Sequence, residues 1–161
     1  MVNKKYDLSN KLISIARSME KVGDRMLSKF GLTMRIYEIM ININSGINTN
    51  LELSKIMQST PASIAQKTKI LEDKKLIKRI VSSEDKRIWQ FSLTKKGNVI
   101  FNQAQNIFNH ANPHLYSKYS EKEKHLIADF IDAIEDHLDF LLKNKNKIDE
   151  FINKFIGGNK K

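Results

Sequence analysis

The chain has 161 residues, 40% of them hydrophobic, enough for one domain or for a small domain with helical extensions. It has no cysteine, which excludes disulfides, thiolate metal sites, cysteine nucleophiles and thiol-based sensing. It also has no apolar run of about 18 residues and no apolar N-terminal stretch beside a cleavage site, so a soluble, cytoplasmic protein with no membrane partner is expected. Twenty-eight Lys and Arg against 18 Asp and Glu give a net charge of +10. The excess is central, with ten basic and four acidic side chains over residues 60–97, nine and five before them, and nine and nine after. A polyanion would therefore meet the middle of the chain.

From Tyr6 to Phe30, Leu8, Leu12, Ile15, Met19, Val22, Met26 and Phe30 recur at the three-and-four spacing of an amphipathic helix, and Gly31 stops it. Thr33 is a good N-cap for a short helix that buries Ile36, Tyr37, Ile39 and Met40. After the polar loop NSGINTN, NLELSKIM reads as a second short helix with Leu51, Leu53 and Ile56 inward. Thr60 and Pro61 start the next helix, whose inner face is Ile64, Thr68 and Leu71 and whose exposed face carries Ser63, Gln66, Lys67 and Lys69. Two short, closely spaced helices of this kind make a helix-turn-helix.

LIKRIVS and IWQFSL, joined by SEDKR, then read as a β-hairpin. Thr94 caps a further helix carrying Val99, Ile100, Phe101, Ala104, Ile107 and Phe108, which Pro113 disturbs. From Ser120, Ile127, Ile134, Leu141, Ile148 and Phe155 recur every seven residues beside Phe130, Ile131, Leu138 and Leu142. One long helix could carry this seam to residue 156, or NKNK at 144–147 could break it. A small domain has no need of such helices at both ends, so they read as a homodimer surface. The alternative is that the two apolar faces pack on each other within one chain. The final GGNKK reads as a flexible tail over residues 157–161.

The order helix, helix, basic helix, hairpin, long helices resembles the MarR family of winged helix-turn-helix regulators over roughly residues 6–143. The stretches that carry it are GLTMRIYEIM, TNLELSKIM and SIAQKTKILEDKKLIKRIVSSEDKRIWQFSLTKKG. In the last, Asp85, Lys86 and Arg87 stand at the wing, followed by Leu93, Thr94 and Gly97. Two departures stand out. Lys75 occupies the position after the recognition helix where the family usually has glycine, so a residue averse to φ > 0 must make that turn. Gln66 stands where a basic residue is common.

The expected fold is thus mainly α with a small β-hairpin wing. A winged helix-turn-helix region, residues 31–97, is flanked by dimerisation helices over 1–30 and 98–156. The helix from Pro61 enters the major groove, where Gln66 and Ser63 can read base edges while Lys67 and Lys69 meet phosphate. Ordinary solvated helix residues are the plain alternative. The resemblance implies that Arg87, with Lys86 beside it, enters an adjacent minor groove. Asp85 holds the turn or orients an arginine. Thr33, Arg35 and Thr49 sit at helix starts and could bond phosphate, or serve purely as caps. The resemblance further implies a small effector between the dimer helices and the DNA-binding lobe, for which Met19, Met26, Met34, Tyr37 and Met40 are candidate lining, or simply core.

Nothing assembles an enzyme. His110, His114, His125 and His137 all lie in the last third with no nucleophilic or acidic constellation around them, and no cofactor is implied. His110 and His114 are four apart, as zinc ligands on a helix can be, but Pro113 between them and the lack of complementary ligands argue against a metal site. The expectation is a homodimeric, sequence-specific regulator, in the repressor sense, on near-palindromic double-stranded DNA. The alternatives are an architectural protein that coats nucleic acid without sequence choice, and a helical protein-interaction module.

Overall fold

The computed structural model describes residues 8–81, 86–111 and 117–156. Asp85, Pro113, His114, the expected helix start at Tyr6 and residues 157–161 lie outside the described residues. The chain divides into two compact units, residues 1–111 and 112–161.

In the first unit, α1 (Leu8–Leu27) buries only Gly23 and Leu27 and leaves Leu8, Ile13, Ile15, Met19 and Val22 exposed. A 3-10 turn, Ser28–Phe30, follows it and closes at Gly31, whose φ of 63° suits a residue without Cβ. Helix α2 (Met34–Asn44) starts at Thr33, whose hydroxyl accepts from Ile36 N, and buries Ile36, Tyr37, Ile39, Met40 and Ile43. It forms the centre of the core. The Tyr37 ring lies 5.7 Å from both Phe101, tilted against it, and Phe108, stacked on it, and burial raises its phenol pKa above the ordinary value.

Helices α3 (Asn50–Ile56) and α4 (Pro61–Asp73) form the helix-turn-helix. Ile64, Thr68 and Leu71 are buried, as their spacing predicts, but the inward set expected for α3 is corrected. Leu53 is fully buried, whereas Leu51 is 59% and Ile56 57% exposed. Leu51 lies about 200° around the helix from Leu53, and Ile56 is on the last turn, where the chain already leaves for α4. The polar Ser54 takes a buried place instead, its hydroxyl donating to Leu51 O at 2.7 Å.

Both helices end in the same left-handed turn. After α3, Gln58 has φ 46°, with Ser59 N donating to Ser54 O at 2.9 Å. After α4, Lys75 has φ 58°, with Leu76 N donating to Leu71 O at 2.9 Å and Lys75 N to Glu72 O at 2.8 Å. These are Schellman closures made without glycine. The strain expected at Lys75 is present, and the buried pair Leu71 and Leu76 closes the motif.

Strands β1 (Ile77–Val81) and β2 (Trp89–Leu93) pair antiparallel, with Ile77 opposite Leu93, Arg79 opposite Phe91 and Val81 opposite Trp89. Phe91 N also donates to Asn48 O at 2.8 Å, tying the wing to the loop before α3. Helix α5 (Lys95–Ala111) begins where the Thr94 hydroxyl accepts from Gly97 N at 3.0 Å and donates to Lys75 O at 2.7 Å. A Cβ on Gly97 would lie 1.9 Å from Leu76 O, so only glycine lets α5 start against that carbonyl. Phe101 and Ala104 are buried in the first unit, while Val99 is exposed.

In the second unit, α6 (Glu121–Lys143) starts at a capping box in which Ser120 and Glu123 satisfy each other's backbone N–H. Asn144, at φ −118° and ψ 64°, ends it, and α7 (Lys145–Ile156) follows. The seam is therefore divided between two helices. Helix α6 buries none of its residues.

Candidate nucleic-acid interface

Helix α4 is built to stand clear of its neighbours on one side. Thr60 accepts from Ser63 N at 3.2 Å, Pro61 occupies the first turn, and Ile64, Thr68 and Leu71 anchor the inner face. Gln66 then points away from the core and is exposed. Ser63 and Lys67, one turn apart, are half-buried and joined, with Lys67 Nζ donating to the Ser63 hydroxyl. They present one donor cluster rather than two independent contacts. Lys69 is exposed on the other flank and pairs with Asp73 at 3.3 Å, a surface contact worth little.

Lys67 also shares a groove with a residue far away in sequence. Arg35, from the first turn of α2, lines a groove of about 270 Å³ together with Lys67, Met57, Gln58 and Ser59. Arg35 is steered there by Glu20 at 3.2 Å and Glu38 at 3.5 Å. The groove thus joins two cations from different helices around the turn of the helix-turn-helix.

The helix starts themselves are already capped. At α2, Met34 N donates to Asp24 Oδ1 at 2.6 Å beside the Thr33 cap. At α3, Thr49 and Glu52 form a capping box, with Thr49 N and Oγ1 donating to Glu52 Oε2 at 3.1 and 2.8 Å. The Thr49 hydroxyl, then its backbone N–H, holds the Glu52 carboxyl below its ordinary pKa. Asp24 sits ten residues from Met34, on another helix, so no local pattern announces it as a cap.

On the wing, Lys86 and Arg87 lie in an exposed turn. Asp85 lies outside the described residues. The wing is locked to α4 by Arg79, whose Nε and Nη2 donate to the two carboxylate oxygens of Glu72 at 2.8 and 3.1 Å, while its guanidinium lies 5.7 Å over the Phe91 ring. This bidentate fork ties the wing to the helix. Sequence reasoning missed it, although basic and acidic residues seven apart across the turn were there to be seen. It also passed over Ala62, exposed near the N-terminus of α4.

The candidate effector residues differ widely in burial. Met40 and Tyr37 are closed into the core, Met26 and Met34 are half-buried, and Met19 is 67% exposed. Met40 and Tyr37 belong to the buried core of the first unit. Helix α2 is the central helix, and the ring stacking on α5 needs Tyr37 there. His110 Nδ1 lies 2.7 Å from Asn106 O on its own helix. Among the described residues no three His, Cys, Asp or Glu side chains come together as a metal site would require, and no helix is long and apolar enough to cross a membrane.

No protein-family profile matches the chain. It is 24% identical over 143 residues to the HTH-type transcriptional regulator BilQ of Clostridioides difficile, covering 83% of this chain and 97% of that protein. Among solved structures it is similar to the Staphylococcus aureus MepR–DNA complex, with a TM-score of 0.76 and 22% identity over 84% of this chain and 99% of the other. It is likewise similar to a mutant of Escherichia coli MarR complexed with operator DNA, with a TM-score of 0.70 and 18% identity over 83% and 97% of the two chains. The helix-turn-helix, the hairpin and the flanking long helices together give this chain the winged helix fold of the MarR-family regulators.

Proposed function

We propose that this protein is a DNA-binding transcriptional regulator with no catalytic step. It acts as a homodimer that places two copies of α4 in successive major grooves of a near-palindromic site, in the repressor sense. The observation that carries this reading is the basic face assembled from α4, the wing and Arg35 on one compact unit, in a fold whose solved relatives include complexes with DNA. Gln66 and Ser63 are the base readers, with Ala62 beside them. Lys67, Lys69 and Arg35 meet phosphate, and Lys86 and Arg87 reach the minor groove. Thr33 and Thr49 serve first as caps, and any phosphate contact they make is through the same helix starts.

The dimer reading is supported by two rows of exposed apolar side chains. One is Leu8, Ile15, Met19 and Val22 on α1, and the other is Phe130, Ile131 and Leu138 on α6. A small effector that lowers DNA affinity stays part of the reading, with Met19, Met26 and Met34 as the candidate side chains left outside the closed core. One observation favours the architectural alternative. The Ser63 hydroxyl is engaged by Lys67, which turns a candidate base reader toward phosphate chemistry.

Selection of bound fragments from a random duplex pool at physiological salt separates the two readings. A recovered near-palindrome bound about a thousandfold above scrambled DNA establishes the regulator. Equal binding to all duplexes, collapsing steeply with salt, leaves the architectural reading.

A further inference from the structure

Trp89 is the only tryptophan in the chain, and the core makes little use of it. The side of the hairpin that faces α4 is a ladder of three rungs, Ile77 with Leu93, Arg79 with Phe91, and Val81 with Trp89. Ile77 and Phe91 are buried, but the ladder then leaves the core. Val81 is exposed and Trp89 is 58% exposed. Tryptophan is usually well buried, so an indole left on a two-stranded wing is out of place on folding grounds alone.

Arg79 stands on the middle rung, where its guanidinium is held by both Glu72 oxygens and lies over Phe91. On the facing side α4 presents small residues, Ala65 and Thr68. Together with Asn50, Arg79, Phe91 and Trp89 they line a cleft of about 180 Å³ between the recognition helix and the wing. The indole N–H finds no hydrogen-bond partner among the described residues.

We propose that Trp89 is a contact to the DNA backbone, packing its ring on a deoxyribose and donating its N–H to a phosphate oxygen. This rests on the DNA-binding reading above. A protein that puts a helix in the major groove and a wing tip in the adjacent minor groove straddles the single sugar-phosphate strand that separates them. The helix-facing side of the wing meets that strand, and Trp89 is the large exposed side chain there. An indole offers one apolar face and one donor, which matches a sugar joined to a phosphate. Lys67, Lys69, Lys86 and Arg87 on the flanking elements favour an anionic occupant over an apolar one. A backbone contact carries no sequence information, so Trp89 adds affinity and register, not base choice.

Because Trp89 is the sole tryptophan, the full-length protein reports on it directly. Labelled duplex is titrated by anisotropy while tryptophan emission and its quenching by iodide are followed. The expected result is an emission change and protection from iodide that saturate at the same Kd as the anisotropy. Trp89→Ala is expected to bind operator and scrambled duplex alike about tenfold more weakly, with the salt dependence unchanged because no charge is lost. Trp89→Phe should fall between the two, keeping the ring but not the donor.

If the duplex binds while emission and iodide access stay constant and Trp89→Ala binds like the parent, the contact is refuted and the DNA reading stands. If the unmodified chain binds no duplex, both fall. An emission change that follows protein concentration without DNA would make the wing a contact between copies and overturn the proposal. A lowered melting temperature for Trp89→Phe as well as Trp89→Ala would assign the indole to the fold and do the same.

Discussion

Residues 27–104 and helix α6 are both rich in large apolar side chains but use them differently. Every buried hydrophobic residue among the described ones lies between Leu27 and Ala104, where α2 is enclosed by its neighbours and the wing is stitched to α4 and α5. Over its twenty-three residues α6 buries none, although Leu126, Phe130, Ile131, Leu138 and Leu142 stand on it. Each such side chain, once buried, contributes about 1.5–3 kcal/mol. An amphipathic pattern therefore has two distinct outcomes in this chain. In α4 it is satisfied within the first unit, and in α6 it is left exposed.

The sharpest way to break that comparison is a charge on the α6 row. Ile131→Asp is expected to cost about 3–6 kcal/mol of association, counted over both copies of a symmetric dimer. Sedimentation should show a shift to monomer, and the dependence of melting temperature on protein concentration should disappear. An unchanged sedimentation coefficient would put the α6 face to some other use. Gly97→Ala probes the opposite region, where a methyl must displace the Leu76 carbonyl. We expect a loss of about 3 kcal/mol in denaturant unfolding, independent of protein concentration.

Arg87→Ala should leave both regions folded and weaken operator binding by about 1–3 kcal/mol. In a salt titration of the folded variant, the slope of log affinity should shrink by about one. Lys75→Gly is expected to stabilise the first unit by about 1 kcal/mol, since a left-handed conformation costs a residue with Cβ about that much. A melting temperature that falls would mean that the lysine side chain contributes something the turn geometry does not reveal.

The smallest effect is acid-dependent and occurs in both units. Hydrogen bonds from Thr49 to Glu52 and from Ser120 to Glu123 hold those carboxyls below their ordinary range. A depressed folded value means that each box stabilises above the unfolded carboxylate pKa of about 4.3 and that this is lost as pH falls through the lower folded value. The amide resonances of Thr49 and Ser120 should therefore titrate with midpoints below about 4.3. If Ser120 alone titrates at the ordinary value, the box of the second unit is frayed.

Much of this was legible because it is written locally. Thr33, Thr60 with Pro61, and Thr94 announce three helix starts through side chains that bond three residues onward, and β-branched runs around a charged turn announce the hairpin. Lys75 shows that even a strained turn can be read from the residue that ought to have been glycine. What escaped was set by distant contacts. Leu51 and Ile56 fit an inward pattern but lie on sides of a two-turn helix that nothing covers. The Asp24 cap, the Glu72–Arg79 fork and the groove that Arg35 shares with Lys67 bring together side chains whose proximity depends on how separate elements pack. The break at Asn144 was visible as polar residues in the seam, but not its outcome.

The turn after α4 is also a joint to α5. Three consecutive carbonyls there are held by the start of α5, with Lys74 O accepting from Lys96 Nζ, Lys75 O from the Thr94 hydroxyl, and Leu76 O from Thr94 N. Gly97 removes the last gap between them. The end of α4 and the beginning of α5 are therefore tied at one joint by three hydrogen bonds and one close backbone approach, so residues 74–76 and 94–97 together set where each helix begins and ends.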